Sequence, residues 1–253
     1  MKSYRFGSIG WSYDDWKGPF YAADTRPEKM LAALSQVLSA IEIDASFFGL
    51  PRMSTLQNWM MQTTERFRFC AKAPRALTHE KRLAGNAGAD ARIAAEHLRE
   101  GLGEKLAHIL VQLPPDFAAG ERRHVERFFT EAGDGPWAVE FRHASWLQTD
   151  IPAFLEERGV VLATTEKLDF GHPPRYLRLL GDEGAFARFH ERQLDRRPEL
   201  DIWAERLKQS EGERFVFVRN YFEGHAPASL FYLMEKLGIT PPTPPGQQQM
   251  SLF

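Results

Sequence analysis

A carboxylate, a guanidinium and an imidazole stand close together in the segment Glu140-Phe141-Arg142-His143. The alternation of apolar and polar residues here predicts a β-strand whose polar face carries Glu140 and Arg142 to its carboxyl end. A carboxylate in that place can accept a proton, and an imidazole beside it can donate one. The competing interpretation of the same residues is a structural salt bridge.

Two further predicted strands also bring ionisable side chains to their carboxyl ends. In one of them, Ile41 and Ile43 face one way, and Glu42 and Asp44 face the other. The next strand ends in Lys72 on the face opposite its phenylalanines. Because barrel enzymes keep their chemistry at the carboxyl ends of the strands, we expect these groups to share one mouth. A buried charge network that fills the top of the barrel is the alternative.

Eight strand segments must position these side chains, and nearly all are separated by amphipathic helices. This alternation predicts one (β/α)8 TIM-like barrel of the α/β class. Only Leu168 to Pro174 separates strands six and seven, so we expect one regular helix to be missing there. A doubly wound open sheet is the runner-up, but the turn after strand one lacks nucleotide-binding glycine spacing. The strands are predicted at 6–11, 40–47, 66–74, 107–114, 137–143, 160–167, 175–181 and 214–221.

The charge balance and cysteine content of the 253 residues exclude several classes of protein. A net charge of −2 argues against wholesale capture of nucleic acid but leaves room for a local basic site. The single cysteine, Cys70, excludes an internal disulfide and a multi-cysteine zinc site, which favours a reducing, cytoplasmic location. We find neither a signal peptide nor a membrane-spanning stretch, so we expect no membrane partner.

Several short runs of residues are spread over nearly the whole chain, among them Gly10 to Tyr13, Ile41 to Asp44 and Glu140 to His143. These runs and others closely resemble the conserved blocks of the DUF72 (YecE-like) family. The resemblance implies a TIM-like barrel, and the activity of the family is not established. The chain departs from the family pattern at strand seven, with Leu180 for a usual His, at strand eight, with Tyr221 for a usual Asp, and after strand two, with Phe48-Gly49 for Tyr-Arg. A mechanism that needs that His or that Asp is therefore not expected here. The matching blocks are Gly10 to Tyr13, Trp16 to Tyr21, Ile41 to Asp44, Phe67 to Arg75, Thr78-His79, Gln112 to Pro115, Glu140 to His143, Ser145-Trp146 and Gly224 to Pro227.

The candidate substrate-binding residues are the polar strand-end side chains in these blocks and the aromatic residues after strand one. We expect Arg142 and Arg178 to grip a phosphate or carboxylate as a fork, with Lys72 as a point charge. Aromatic side chains there stack a base or a sugar ring, or they cap the hydrophobic rim. The remaining candidates of this kind are Gln112, Asn220, Trp11 and Tyr13.

The candidate catalytic residues are two carboxylates and two imidazoles. We expect Glu42 or Glu140 to act as the general base and His143 or His225 to act as the acid. We expect no tightly held metal, because no two candidate ligands have a local metal-binding spacing. If a divalent metal is used as a cofactor, its ligands are Glu42, Asp44 and Glu140.

The last fourteen residues, 240–253, are predicted to lie outside the barrel domain, 1–239. Thr240 to Gly246 is rich in proline and should form an extended spacer. The residues Gln249, Met250, Leu252 and Phe253 then resemble the peptide with which bacterial replication and repair proteins bind the sliding clamp. An apolar segment with a glutamine at its edge suits insertion into a groove. The alternatives are a frayed end and a tail folded back on its own barrel.

The hypothesis that these observations favour is an enzyme that acts on a phosphate-bearing substrate, and phosphodiester hydrolysis in nucleic acid or DNA repair is the candidate reaction. Its partners would be a nucleic acid or an anionic small molecule at the mouth and the sliding clamp at the tail. A non-catalytic module that binds nucleic acid or an anion is the second hypothesis. A sugar lyase or isomerase is the third.

Overall fold

The computed structural model describes residues 3–250 of the chain. Within them, eight strands form a closed barrel in which neighbours in sequence are neighbours in the sheet. The resolved strand pairs are parallel, so the predicted (β/α)8 fold is confirmed. The strands are β1 (Ser3–Ile9), β2 (Ala40–Ile43), β3 (Arg68–Lys72), β4 (Leu106–Gln112), β5 (Trp137–Glu140), β6 (Val161–Thr165), β7 (Tyr176–Leu179) and β8 (Glu213–Val218).

The helices between the strands bury one apolar face, as their spacing predicts. In α4, for example, Val125, Phe128 and Phe129 are buried, and both phenylalanine rings lie edge-on to Trp137 of β5. The helices are α1 (Met30–Val37), α2 (Met53–Gln62), α3 (Ala87–Leu102), α4 (Arg122–Ala132), α5 (Ile151–Glu157), α6 (Arg197–Gln209), α7 (Ala226–Lys236) and α8 (Pro245–Met250).

The strands end two to four residues earlier than the alternation predicts. The reason is local: after β2, for instance, a 3-10 turn at Ala45–Phe47 takes over, and the amide of Phe47 donates to the carbonyl of Asp44. Asp44, Arg142 and His143 therefore lie just beyond the strands that we expected to carry them. Alternation detects a buried strand but not the turn that stops it, because both contain the same residue types.

Two of the connections differ from the regular pattern. Within the described chain, residues 166–175 contain no helix, so the expected gap between strands six and seven is confirmed. The hydroxyl of Thr165 accepts the amides of Lys167 and Leu168 and turns the chain there. The residues from Gly184 to Ser210 predict one or two helices around Phe186, Phe189, Trp203 and Leu207, and the structure has one. Residues 180–196 are irregular, and α6 begins only at Arg197.

The described chain divides into two compact units. Unit 1 comprises residues 3–41, 62–67 and 173–250, which include β1, β7, β8, α1, α6 and α7. Unit 2 comprises residues 42–61 and 68–172, which include β3 to β6 and α3 to α5. Each has its own buried apolar side chains. No helix in the described part of the chain is long and apolar enough to cross a membrane.

The carboxyl-terminal segment contacts the early part of unit 1 at Gly246. The amide of Gly246 donates to the carbonyl of Phe20 at 3.0 Å. A Cβ atom at this position would lie 2.0 Å from the carbonyl oxygen of Gly18, so only glycine fits. The extended conformation expected up to Gly246 therefore ends at Pro244, since α8 begins at Pro245. The boundary at 239/240 stays a prediction.

Candidate functional site

The carboxyl ends of three neighbouring strands in unit 2 carry buried polar side chains. These are Lys72 on β3, Gln112 on β4 and Glu140 on β5. Gln112 lies directly opposite Glu140 in the parallel register of β4 and β5. Buried polar groups cost free energy unless they are hydrogen-bonded or paired. The partners of each group therefore decide what the site can do.

Glu140 is held between an amide and a guanidinium. The Nε2 of Gln112 donates to its Oε1 at 2.8 Å, and the Nε of Arg142 lies 4.0 Å from the same oxygen. The carboxylate is 1% exposed, whereas the side chain of Arg142 is 39% exposed. A guanidinium at this distance attracts the carboxylate without a hydrogen bond to it. It can therefore turn to a ligand while Gln112 keeps the carboxylate in place.

Lys72 is fixed by a carboxylate and by an aromatic ring. Its ammonium lies 3.1 Å from Asp44 and 4.2 Å from the centroid of the Phe47 ring. The side chain of Lys72 is nearly buried, whereas that of Asp44 is 40% exposed. The cation–π contact and the ion pair together hold a positive charge at the end of β3. Like Gln112 and Glu140, Lys72 and Asp44 are predicted site residues that the structure brings into direct contact.

His79 joins this group, although sequence reasoning did not select it. It lies in one turn of π-helix, Ala76–Glu80, and its Nδ1 lies 2.8 Å from the hydroxyl of Thr78. Burial lowers its pKa first, and the positive charges of Lys72, Arg75 and Arg142 lower it further. The imidazole is therefore neutral at pH 7. The signal that could have found it is the Thr78-His79 block, which follows a charged strand end.

The carboxylate of Asp116, which acts on His79, is itself paired with Arg82. Asp116 raises the pKa of His79 less than the three cations lower it. Its carboxylate accepts two hydrogen bonds from Arg82, at 3.1 and 3.2 Å, and these hold its own pKa below the usual range. Arg75 forms an exposed ion pair with Glu80. Lys72 and Arg142 likewise lie next to Asp44 and Glu140. Arg142 is beyond hydrogen-bonding distance of its carboxylate, so its guanidinium is the one of these three cations best placed to turn to an anionic ligand.

His143, a predicted acid, has a structural task. Its Nδ1 accepts the backbone amide of Ser145 at 3.2 Å and caps the 3-10 turn Ala144–Gln148. The hydroxyl of Ser145 also lies 2.8 Å from Nδ1 and accepts the amide of Ala119. An Nδ1 that accepts a backbone amide carries no proton in the neutral ring, so the ring proton is on Nε2. To act as the acid, His143 must first take up a second proton on Nδ1 and give up the amide of Ser145. Its catalytic role stays a prediction.

Glu42 is buried on β2, two residues before Asp44. Together with Glu140, these two carboxylates were the expected ligands if a divalent metal is used. Among residues 3–250, no three His, Cys, Asp or Glu side chains are grouped so that they could hold a metal ion. The three carboxylates therefore do not form the expected ligand set. One physical reason is that Asp44 turns to Lys72 and Glu140 to Gln112.

Two of the predicted binding residues lie at strand ends of unit 1. Arg178 is buried on β7. Asn220 follows β8, and its Oδ1 accepts the indole N–H of Trp16 at 3.2 Å and the amide of Ala226 at 3.0 Å. Asn220 thereby fixes the start of α7 and anchors the Trp16 ring. The roles of Arg178 and Asn220 in binding a substrate stay predictions.

His225, the other predicted acid, is buried in unit 1. Its Nδ1 lies 2.8 Å from the carbonyl of Phe189, so in the neutral ring this nitrogen carries the proton. Burial lowers the pKa of His225 to about 4. The ring is then uncharged at neutral pH and its one proton is bound to a carbonyl. Nε2 is left as a proton acceptor, which favours a base over the expected acid.

The aromatic residues that follow strand one mostly pack inside unit 1. Trp16, Phe20 and Tyr21 are completely buried and contact one another edge-on or tilted. The hydroxyl of Tyr13 donates to Ile9, and that of Tyr21 donates to the carbonyl of Trp11. Most of this cluster therefore caps the hydrophobic rim, the second of the two interpretations open from the sequence. Ring stacking by Trp11 and Tyr13 stays a prediction.

An aromatic side chain that is exposed lies in unit 2 instead. Phe48 is 83% exposed. Trp146, in the same unit, is buried and donates its indole N–H to the carbonyl of Phe117. In the sequence alone, Phe48 is notable only as a departure from the family pattern. The exposure of a side chain depends on its neighbours in space, which alternation does not report.

These features can be set beside known proteins. A family model described as a protein of unknown function, DUF72, matches residues 5–250. The chain belongs to the DUF72 family. The UPF0759 protein YunF of Bacillus subtilis (strain 168) is 27% identical to this DUF72 chain over 203 residues, which are 74% of the chain and 69% of YunF.

Solved structures of other proteins share the barrel fold. A DUF72 family protein from Thermotoga maritima MSB8 superposes with a TM-score of 0.71 at 20% identity, over 93% of this chain and 99% of that one. A D-allulose 3-epimerase from Methylomonas sp. superposes with a TM-score of 0.53 at 14% identity, over 86% of this chain and 84% of that one. At these identities the likeness shows the fold alone.

Proposed function

We propose that this DUF72 chain is an enzyme that hydrolyses a phosphate ester, with phosphodiesters of nucleic acid as the first candidates. The observation that supports the proposal is the group of cationic side chains near His79, one of which lies next to a buried carboxylate. Lys72, Arg75 and Arg142 all act on that imidazole, and Arg142 also faces the buried carboxylate of Glu140. An anion-binding surface next to a buried carboxylate suits phosphoryl chemistry.

The residues of unit 2 can be given roles in this reaction. Arg142 grips the phosphate with its half-exposed guanidinium, and Lys72 adds a point charge. Glu140, held by Gln112, accepts a proton from water as the water oxygen attacks phosphorus. The bond from phosphorus to the leaving oxygen breaks, and His143 in its imidazolium form gives that oxygen a proton from Nε2. Glu42 is a second candidate for the base.

A non-catalytic anion-binding module is the alternative with an observation behind it. Lys72 is already paired with Asp44, and Glu140 is already held by Gln112. Groups paired in this way also occur in purely structural networks. Such a module would bind a phosphate-bearing ligand without turning it over.

A panel of substrates separates these two functions and the sugar-metabolism hypothesis. Purified protein is incubated with a phosphodiester, abasic DNA and sugar phosphates, and product is measured. For a substrate that is turned over, Glu140→Gln should lower the rate roughly 100-fold or more, because general-base catalysis contributes about 10²–10⁴-fold. Binding of that substrate should change little.

The matched control is Glu156→Gln, an exposed carboxylate in the same unit, which should keep full activity. Turnover by Glu140→Gln at the wild-type rate would contradict the proposed role. Binding of phosphodiesters without turnover of any substrate would favour the non-catalytic module. Isomerisation of sugar phosphates, with no hydrolysis, would favour the sugar enzyme.

We also propose that the tail binds the bacterial sliding clamp. The support is the sequence pattern of Gln249, Met250, Leu252 and Phe253, of which Leu252 and Phe253 lie outside the described residues. Gly246, three residues before this peptide, donates its amide to the carbonyl of Phe20. Protein that lacks residues 249–253 should fail to retain the purified clamp in a pull-down. Equal retention by the truncated and full-length proteins would refute this proposal.

A further inference from the structure

Phe48 is the most exposed of the large apolar side chains in the described part of the chain, at 83%. Apolar surface of this size is normally removed from water, and isolated exposed rings need no explanation unless other features accompany them. Here two features do: the turn that carries the ring is fixed, and its surroundings are aromatic and cationic.

The turn that carries Phe48 is held by hydrogen bonds of its backbone and of the Ser46 side chain. The amides of Phe47 and Phe48 donate to the carbonyls of Asp44 and Ala45, which closes the 3-10 turn. Ser46 is buried, and its hydroxyl lies 2.9 Å from the carbonyl of Ile43 and 2.7 Å from that of Lys72. The backbone of Phe48 is thus tied to the ends of both β2 and β3. A ring on so short and well-bonded a turn loses little conformational entropy when a ligand binds it.

The ring of Phe48 begins a chain of contacts that leads to His79 and Lys72. It contacts Phe47 edge-on with ring centroids 5.3 Å apart, and Phe47 contacts His79 in the same way at 5.0 Å. The ammonium of Lys72 lies over the Phe47 ring. An exposed aromatic face is therefore linked by direct contacts to the imidazole that feels Lys72, Arg75 and Arg142.

We infer that Phe48 is a stacking platform for an unpaired nucleobase whose phosphate lies against the cations around His79. The inference rests on the proposed function and names its substrate class: single-stranded nucleic acid, or an unpaired end of a duplex. Every base offers an aromatic face, and that face is free only when the base has left its duplex stack. A neutral sugar would stack on the Phe48 ring without pairing with the cations. Inorganic phosphate would pair with the cations without contacting the ring. A nucleotide uses both.

Binding of a fluorescein-labelled oligothymidylate, followed by fluorescence anisotropy at low salt, tests the inference. An abasic oligonucleotide of equal length keeps the charges and lacks the bases. Wild type should bind the oligothymidylate more tightly than the abasic strand. Phe48→Ala should weaken oligothymidylate binding roughly tenfold, because loss of one base–aromatic stack typically lowers affinity by about fivefold to 150-fold. Binding of the abasic strand should not change.

Two further variants keep the test specific. Phe48→Trp should bind the oligothymidylate at least as tightly as wild type, since it keeps an aromatic face. Met61→Ala removes another highly exposed apolar side chain of the same unit and should bind as wild type does. Circular dichroism of each variant checks that the fold is intact.

The outcomes separate this inference from the proposed function. If Arg142→Ala weakens binding of both oligonucleotides and Phe48→Ala weakens neither, the anion site stands and the stacking platform is refuted. If neither variant weakens binding, or wild type binds neither strand, both ideas fail. Sedimentation that shows wild-type dimers dissociated by Phe48→Ala, with oligothymidylate binding unchanged, would assign the ring to self-association and also refute the inference.

Discussion

Two buried carboxylates, Glu223 in unit 1 and Glu140 in unit 2, are held in different ways. Glu223 accepts the hydroxyl of Ser229 at 2.5 Å and the backbone amide of Arg196 at 2.8 Å, with the guanidinium of Arg192 at 3.3 Å. Its own backbone carbonyl also accepts two amides of the loop before α6. Both carboxylate oxygens of Glu223 thus accept hydrogen bonds from nearby groups of the chain. These bonds also hold the loop before α6 in place.

Glu140 has a hydrogen bond from Gln112 on one side and a guanidinium beyond hydrogen-bonding distance on the other. Burial alone therefore does not distinguish a structural carboxylate from a candidate base. The difference lies in the cationic partner: the side chain of Arg142 is more exposed than that of Arg192, 39% against 26%, and can turn to a ligand. The same contrast holds for the histidines, because His225 is enclosed and His79 is half-buried among cations.

The largest expected effect is on stability, from Glu223→Ala. Removing one member of a buried ion pair leaves the other charge unpaired, which typically costs about 3–5 kcal/mol of unfolding free energy. Urea unfolding followed by circular dichroism measures it. Glu140→Gln, which keeps the shape of the side chain, should cost far less. Equal losses of unfolding free energy in the two variants would contradict the conclusion that Glu223 and Glu140 are held differently.

A smaller effect is expected from pH through His225. The pKa of His225 is about 4 in the folded chain, against an ordinary value near 6.5. Between these two pH values, the unfolded chain binds a proton at this residue and the folded chain does not. The unfolding free energy should therefore fall as the pH drops from about 6.5 to 4, by up to about 3 kcal/mol for this group. His225→Gln should flatten the profile in that window. An unchanged profile would show that His225 is not the enclosed imidazole described above.

The smallest expected effect distinguishes the two histidines directly. Bound phosphate should raise the pKa of His79, because an anion offsets the field of Lys72, Arg75 and Arg142, and should leave that of His225 unchanged. NMR titration of the imidazole protons with and without inorganic phosphate measures both values. His79→Gln identifies the resonance. A pKa of His79 that does not respond to phosphate would contradict an anion site at this place.

Much of the fold could be predicted because its signals are local. The spacing of Met30, Leu31, Leu34 and Val37 behind Pro27 predicts α1, and these four residues are buried. The short connection from Leu168 predicts the missing helix. Of the one or two helices expected between Gly184 and Ser210, only α6 forms, because apolar residues in a loop can pack as they would in a helix. Here Phe189 contacts Tyr13 and Tyr221 from an irregular segment.

The candidate site could be predicted only in part. Lys72, Gln112, Glu140 and Arg142 were found because alternation places polar groups at strand ends. His79 was missed because it follows β3 in a separate turn, and its chemistry comes from charges that are distant in sequence. His143 and Asn220 were selected for their chemistry, yet each caps a turn or a helix in the structure.

The sequence by itself determined the order of strands and helices, the closed (β/α)8 barrel and the family, because these follow from residue periodicity and from blocks of neighbouring residues. Only the tertiary structure decided which carboxylate is enclosed, which aromatic ring faces water and which cations act on His79. Burial and electrostatic fields are sums over neighbours in space, and most of those neighbours lie far apart along the chain.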